Sequence, residues 1–212
     1  MHIDIVSDIA CPWCAIGYAR LQVAMKQLAD GHDFTLEWHA FELNPDPNAP
    51  QEPILPALSR KYGRSEAEME QSQEQMMLIA SDLGLDFSKM QQRLTCNTFD
   101  AHRLVKWAKQ FDLQTELKMA LFEAYFGHAD DVSDHNVLLT CVDRAGLDAT
   151  AAQKVLQSDD YGDDVRQDEA VYRQAGVTAV PAFIIDQKYI ISGAQEPELL
   201  KKGLLEIAAE TK

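Results

Sequence analysis

Apolar positions change their period twice along the chain. In "HIDIVS" (2–7), Ile3, Ile5 and Val6 stand between polar ends, the pattern of a short buried strand. From about Pro12 to Ala29 the spacing turns helical, with Gly17, Leu21, Ala24 and Leu28 on one face and Gly31 at the stop. "FTLEWHAFEL" (34–43) then sets Phe34, Leu36, Trp38 and Ala40 against Thr35, Glu37 and His39, which predicts a second strand.

Five prolines follow between Pro45 and Pro56, and they predict a linker or extended arm. After it the pattern is helical for over a hundred residues. Ser65 and Glu68 form a capping box ahead of "MEQSQEQMMLIASDLG", and helices are predicted in "FDAHRLVKWAKQ", "QTELKMALFEAYFG", "DHNVLLTCVDRAG" and "TAAQKVLQ". Near the end the period shifts again. A helix through "DDVRQDEAVYRQAG" stops at Gly176. Two strands, "VTAVPAFIID" and "QKYIISG", meet at a tight turn at Asp186 and Gln187. A last helix starts near Pro197 and carries Leu200, Gly203, Leu204 and Ile207 on one face. The layout is β-α-β, a helical block, then α-β-β-α. It resembles an α/β thioredoxin-like fold: a mixed central sheet flanked by helices, with a large all-helical insertion. Residues 1–44 and 162–212 would form the thioredoxin-like domain and 45–161 the insertion.

Composition narrows the function. The 212 residues, 46% hydrophobic, suit one domain with a full core, or one carrying a large insertion. The formal charge of −15 disfavours nucleic acid and anionic membrane surfaces as partners. No apolar run approaches the roughly 18 residues that span a bilayer. "MHIDIVSDIACPW" has neither the basic start nor the long apolar core of a signal peptide, so a cytoplasmic location is expected. There the four cysteines would be reduced, which favours catalytic over structural roles.

Two of them form Cys11-Pro12-Trp13-Cys14, between the first strand and the first helix. Cys11 would cap that helix, with Pro12 at the first helical position, where its missing N–H costs nothing. Cys14 falls one turn on, on the same face. The free amides and positive dipole end of the helix would favour a thiolate on Cys11, the attacking species in disulfide exchange. Cys14 would resolve the resulting mixed disulfide. A structural zinc site would need two more ligands, and Cys96 and Cys141 stand far apart, so no metal is expected. Trp13, between the cysteines, reads as a rim residue that touches substrate. Pro181 opens an apolar strand after Val180; most such bonds are trans, but a cis bond here would hold the Val180 backbone open for an extended substrate.

Taken together, "SDIACPWCAIG" (7–17), "FELNP" (41–45), "NTFDAHRL" (97–104) and "GVTAVPAFIID…YIISGAQ" (176–195) resemble the DsbA-like thioredoxin superfamily, in its cytosolic FrnE-like branch. The resemblance spans essentially the whole chain. It implies that Cys11 is the nucleophile, Cys14 the resolving thiol and Pro181 a cis-proline. It also implies that Asn97 and His102 face the cleft between the two parts, although His102 alone reads as an ordinary surface or capping histidine. A related branch, the kappa-class glutathione transferases and 2-hydroxychromene-2-carboxylate isomerases, carries serine where Cys11 stands.

The expectation is therefore a protein dithiol–disulfide oxidoreductase acting as reductase or isomerase. Cys11, Cys14 and Pro181 would be catalytic, with Pro12, Trp13, Val180, Asn97 and His102 against the substrate. No cofactor is expected beyond glutathione as a candidate co-substrate. The partner would be a protein or small-molecule thiol or disulfide, and the chain a monomer or homodimer. A glutathione-dependent transferase or isomerase and a non-enzymatic client-binding chaperone are the alternatives. Cys141 shares a helix face with Val137 and reads as a core thiol, Cys96 as structural, and Met69, Met76 and Met77 as a core stripe. The acidic run 159–164 reads as a solvated loop capping the next helix.

Overall fold

The computed structural model describes residues 1–210. The last two residues of the expected outer domain lie outside the described residues.

At the centre is β1 (His2–Ser7). It pairs in parallel with β2 (Thr35–Ala40) across a crossover formed by α1 (Pro12–Leu28). On its other side β1 pairs antiparallel with β3 (Ala182–Ile185), which pairs antiparallel with β4 (Tyr189–Ser192). The order is β2-β1-β3-β4, a mixed four-stranded sheet as predicted. The β3–β4 turn falls at Asp186 and Gln187, both at positive φ.

Strand alternation sorts the apolar side chains onto two covered faces. Ile3, Ile5, Phe183 and Ile185 join one core with Leu21 and Leu28 of α1 and with Leu200, Leu204 and Ile207 of the last helix. Val6, Ala182 and Ile184 form a second cluster with Phe41 and Val177, against Tyr172. With both faces buried, a one-residue slip of β1 would drive Asp4 into the larger core, so register is strongly specified.

Six helices lie in sequence between β2 and the C-terminal part. They are α2 (Ile54–Tyr62), α3 (Glu66–Asp82), α4 (Phe99–Ala108), α5 (Gln114–Phe122), α6 (His135–Arg144) and α7 (Ala149–Leu156). α8 (Gly162–Gln174) precedes β3, and α9 (Pro197–Glu210) packs against α1. Ser65 and Glu68 form the expected capping box on α3.

Three elements differ from expectation. The strand expected over 177–186 is confined to Ala182–Ile185, with 177–181 outside the sheet. The proline-rich stretch ends in a helix: Pro53 caps α2 and Pro56 falls in its first turn, where a missing N–H breaks no bond. The helix predicted through residue 127 leaves α geometry after Phe122 and finishes as a π turn (Glu123–Gly127). The helical block grips the sheet through α4 and α5, which pack on β2. Gln114 accepts from the Trp38 amide (3.1 Å) and donates to its carbonyl (3.3 Å), so the open edge of β2 is occupied by a side chain.

A charged cluster ties β1 and β2 to α4 and α8. The His39 ring donates to Asp4 (2.8 Å) and Asp168 (3.2 Å), and Lys106 also pairs with Asp168. Burial alone would lower the His39 pKa, but the hydrogen bonds to Asp168 and Asp4 outweigh it and hold the imidazolium above the ordinary histidine range. Burial would likewise raise Asp4 and Asp168, and His39 keeps both below the carboxylate range.

The signs follow from linkage. The raised His39 contributes fully below about pH 6.5, and its contribution fades as pH rises through the folded value. The depressed carboxylates contribute fully above about pH 3.9 and lose their effect on acidification. The contribution of this cluster to the denaturation midpoint should be highest between those values and fall on both sides, read as the difference between the parent and a His39 variant. His39→Leu should cost about 1–3 kcal/mol and flatten the alkaline fall. An unchanged alkaline limb in the variant would refute the assignment.

Candidate active site

Cys11 stands at the N-cap of α1 with extended φ/ψ of −95°/110°, and no side chain hydrogen-bonds as a cap. Pro12 follows at the first helical position, and the first turn holds no carboxylate to compete for its positive end. The Cys14 amide donates to the Cys11 carbonyl (3.0 Å), which places Cys14 one turn on with the two thiols in hydrogen-bonding reach. Cys14 is fully buried. Burial pushes its thiol well up, and the neighbouring Cys11 sulfur adds to that.

From the far end of the chain comes the Val180–Pro181 peptide, which is cis. The Cys11 thiol donates to the Val180 carbonyl at 3.6 Å. The approach depends on a glycine in α1. A Cβ on Gly17 would lie 2.9 Å from Pro181 Cγ and 3.3 Å from Ala194 Cβ.

Asp8 anchors the segment ahead of Cys11. One carboxylate oxygen accepts from the Leu43 amide (2.8 Å). The other accepts from Thr98 Oγ1 (2.8 Å), His102 Nε2 (3.3 Å) and the Ala10 amide (3.3 Å). Burial would raise this carboxyl, but His102 and the other donors hold it below the usual range. Burial and the charge of Lys118 push His102 down, so at neutral pH it is an uncharged donor.

Cys11, Pro12 and the exposed Trp13 line a cavity of about 700 Å³. Its walls are α2 and α3, with Ile54, Leu58, Met69 and Met76 as apolar lining. Lys61 and Arg64 add cationic groups, and the buried Arg93 a third. Arg93 stacks on Tyr125 (5.3 Å) and Phe126 (5.1 Å) and donates to Gln73 Oε1 (3.0 Å). The proline arm is fastened across the segment carrying these groups: Thr95 donates to the Glu52 carbonyl (2.8 Å) and Ile54 to the Arg93 carbonyl (3.1 Å).

The residues expected at the site fall into two groups. Cys11, Cys14, Pro12, Trp13, Val180 and Pro181 meet around the cysteine pair. Asn97 and His102 do not line the cavity. Asn97 is occupied by Glu42, to which it donates (3.1 Å), and by the Phe99 amide. His102 is sealed beneath Asp8. His102 is buried behind the cleft and Asn97 is half-buried outside the cavity lining, because their polar atoms are taken up where the helical block meets the sheet.

Cys141 is buried, donates to the Ala120 carbonyl (3.7 Å) and is pushed up to about 12 by burial. Cys96 lines the cavity beside Tyr125 and is likewise raised to about 12 by burial. Asp8 and Lys118 are absent from the sequence-based list. Lys118, on α5, is fully buried, lies over the rings of Trp38 (5.4 Å) and Phe122 (5.6 Å), and its Nζ has no hydrogen-bond partner. Ligand-type atoms of His2, Asp4 and Glu37 lie within 4.8 Å of one another, at the opposite end of β1 from the cysteines. His39 already occupies Asp4, and Lys109 occupies Glu37.

The model of the DSBA-like thioredoxin domain matches residues 2–205. The chain belongs to this family. It is 30% identical over 205 residues to the Bacillus subtilis (strain 168) protein YwbO, covering 96% of each. A solved structure described as a probable DsbA oxidoreductase from Streptomyces coelicolor is 33% identical. It superposes with a TM-score of 0.91 over 99% of this chain and 91% of that one. DsbM of Pseudomonas aeruginosa, described as a cytosolic disulfide reductase and solved with GSH, is 14% identical. It covers 99% of this chain and 100% of its own at a TM-score of 0.68, which shows a shared fold. Among the described residues of this DSBA-like chain, no helix is long and apolar enough to cross a membrane.

Replacing Gly17 by alanine tests the approach of Pro181 to α1. The added methyl meets a proline ring that cannot swing away, so Gly17→Ala should lower stability by about 1–3 kcal/mol despite its better helix propensity. Thermal unfolding measures this, and a variant as stable as the parent would show that the contact yields freely.

Proposed function

We propose that the protein is a thiol–disulfide oxidoreductase working through Cys11 and Cys14. The observation that carries this reading is a helix-capping cysteine in reach of both a buried second thiol and the carbonyl before the cis-proline, at the mouth of a cavity.

Cys11, as thiolate, attacks one sulfur of a substrate disulfide. A mixed disulfide forms, and the other substrate sulfur leaves as a thiolate that takes a proton from water. Cys14 then attacks the Cys11 sulfur and the remaining substrate half departs as the second thiol. Two electrons have passed from the cysteine pair to the substrate. Two molecules of a thiol such as glutathione restore the pair as co-substrate and leave joined as their disulfide, and no other cofactor enters. The cavity volume is that of a small-molecule site, and its cations Lys61, Arg64 and Arg93 outnumber its carboxylates Asp8 and Glu52, which favours acidic disulfides of low mass. In a cytoplasm poised at roughly −220 to −320 mV most such pairs stay reduced, so the net direction is reduction or isomerisation. The cytosolic reductase description of DsbM supports that location and direction.

Cys11→Ser should lower disulfide reductase activity by about 100-fold or more. Cys14→Ser should accumulate a mixed disulfide with glutathione on Cys11, visible by mass spectrometry of the intact protein. Full turnover in Cys14→Ser would refute dithiol exchange and point to a glutathione-dependent isomerase. Suppression of client aggregation that survives loss of both cysteines, with no reductase activity in the parent, would point to a chaperone.

A further inference from the structure

Nothing in the exchange steps above uses Lys118. It lies in the apolar stripe of α5 beside Leu117, Leu121 and Phe122, with its Nζ sealed from solvent and unpartnered. The faces of Trp38 and Phe122 compensate such a charge only in part. An ammonium withdrawn from water without an acceptor is costly, so its surroundings should contain an anion that it serves.

α5 packs against α1, α4 and β2. The titratable groups that interact with Lys118 are Cys14 and Cys11 on α1, Asp8 in the segment before it, and His102 on α4. Asp8 already accepts four hydrogen bonds. The Cys14 sulfur accepts from the Asp8 backbone amide, and the charge that acts on it in the same sense is that of Lys118.

We propose that Lys118 is the counter-charge of the resolving thiolate, a positioning residue that stabilises Cys14 as an anion during its attack on the mixed disulfide. The inference rests on the exchange reading above. In this step the S–S bond between Cys14 and Cys11 forms, and the bond from Cys11 to the substrate sulfur breaks. The proton that Cys14 gives up is matched by one that the departing thiolate takes from solvent. Burial opposes charge on both partners: it pushes the Cys14 thiol well up and lowers Lys118 to about 8. Lys118 is still mostly protonated at neutral pH, and its charge acts on Cys14 against that burial.

The reduced protein mixed with the aromatic disulfide DTNB should release its chromophore in two phases, attack by Cys11 and then resolution by Cys14. In Lys118→Met the second phase should slow at least about tenfold at pH 7, while the first changes by less than about threefold. The pH profile of the second phase should also move to higher pH. The variant removes an unpaired buried charge, so it should melt at or above the wild-type temperature. Lys118→Gln, neutral and of similar length, gives the same readout if the methionine variant does not fold. A second phase with unchanged rate and pH profile, or two phases slowed equally, would overturn the role of Lys118 and leave the exchange reading intact. Absence of both phases in the wild type would overturn the exchange reading itself.

Discussion

A carboxylate sealed inside the protein has to be surrounded by donors, and Asp8 meets that requirement from four places in the chain. Its donors come from the segment leading to Cys11, from the exit of β2, and from the cap and first turn of α4. The position of Cys11 relative to the helical block is therefore set by one charge. Glu42 repeats the device one step away. It accepts from Asn97 and Arg166, while its own amide donates to Glu169, so α8 joins the same junction. Some of the acidity that makes the chain so negative thus lies in the joint between sheet and helices.

Much of this was legible from residue order. The strands follow from the alternation of Ile3, Ile5, Phe183 and Ile185, whose partners lie on one face of the sheet. The cysteine pair is legible because a helix start imposes its own chemistry: Pro12 needs the first position, and Cys11 is then the cap. α2 was hidden because prolines normally argue against helices, and only their placement at its start removes the objection. Asn97 and His102 were assigned to the cleft from a motif. A motif records which residues travel together, and these two serve the joint between sheet and helices rather than the cavity wall.

Lys118 left a trace that periodicity could have exposed. Leu117, Lys118, Leu121, Phe122 and Tyr125 are buried and recur at helical spacing, so the lysine sits in a stripe of otherwise apolar and aromatic groups. A charge in such a stripe is a local rule broken, and broken local rules tend to gather at working sites. Asp8 left no such trace. It stands in a short loop where no period applies, and its role emerges only when the distant donors arrive.

The proline arm joins two residues that line the cavity, Asn44 and Glu52. Pro45, Pro47, Pro50, Pro53 and Pro56 each restrict φ, so this stretch samples few shapes even in the unfolded chain. Asp46 tightens it further by accepting from the amides of Asn48 and Ala49. The arm borders the chamber beside Cys11 only at its ends, Asn44 and Glu52; stiffened between them, it holds those ends in place, and the chamber should select its occupants by fit to a standing shape more than by folding around them.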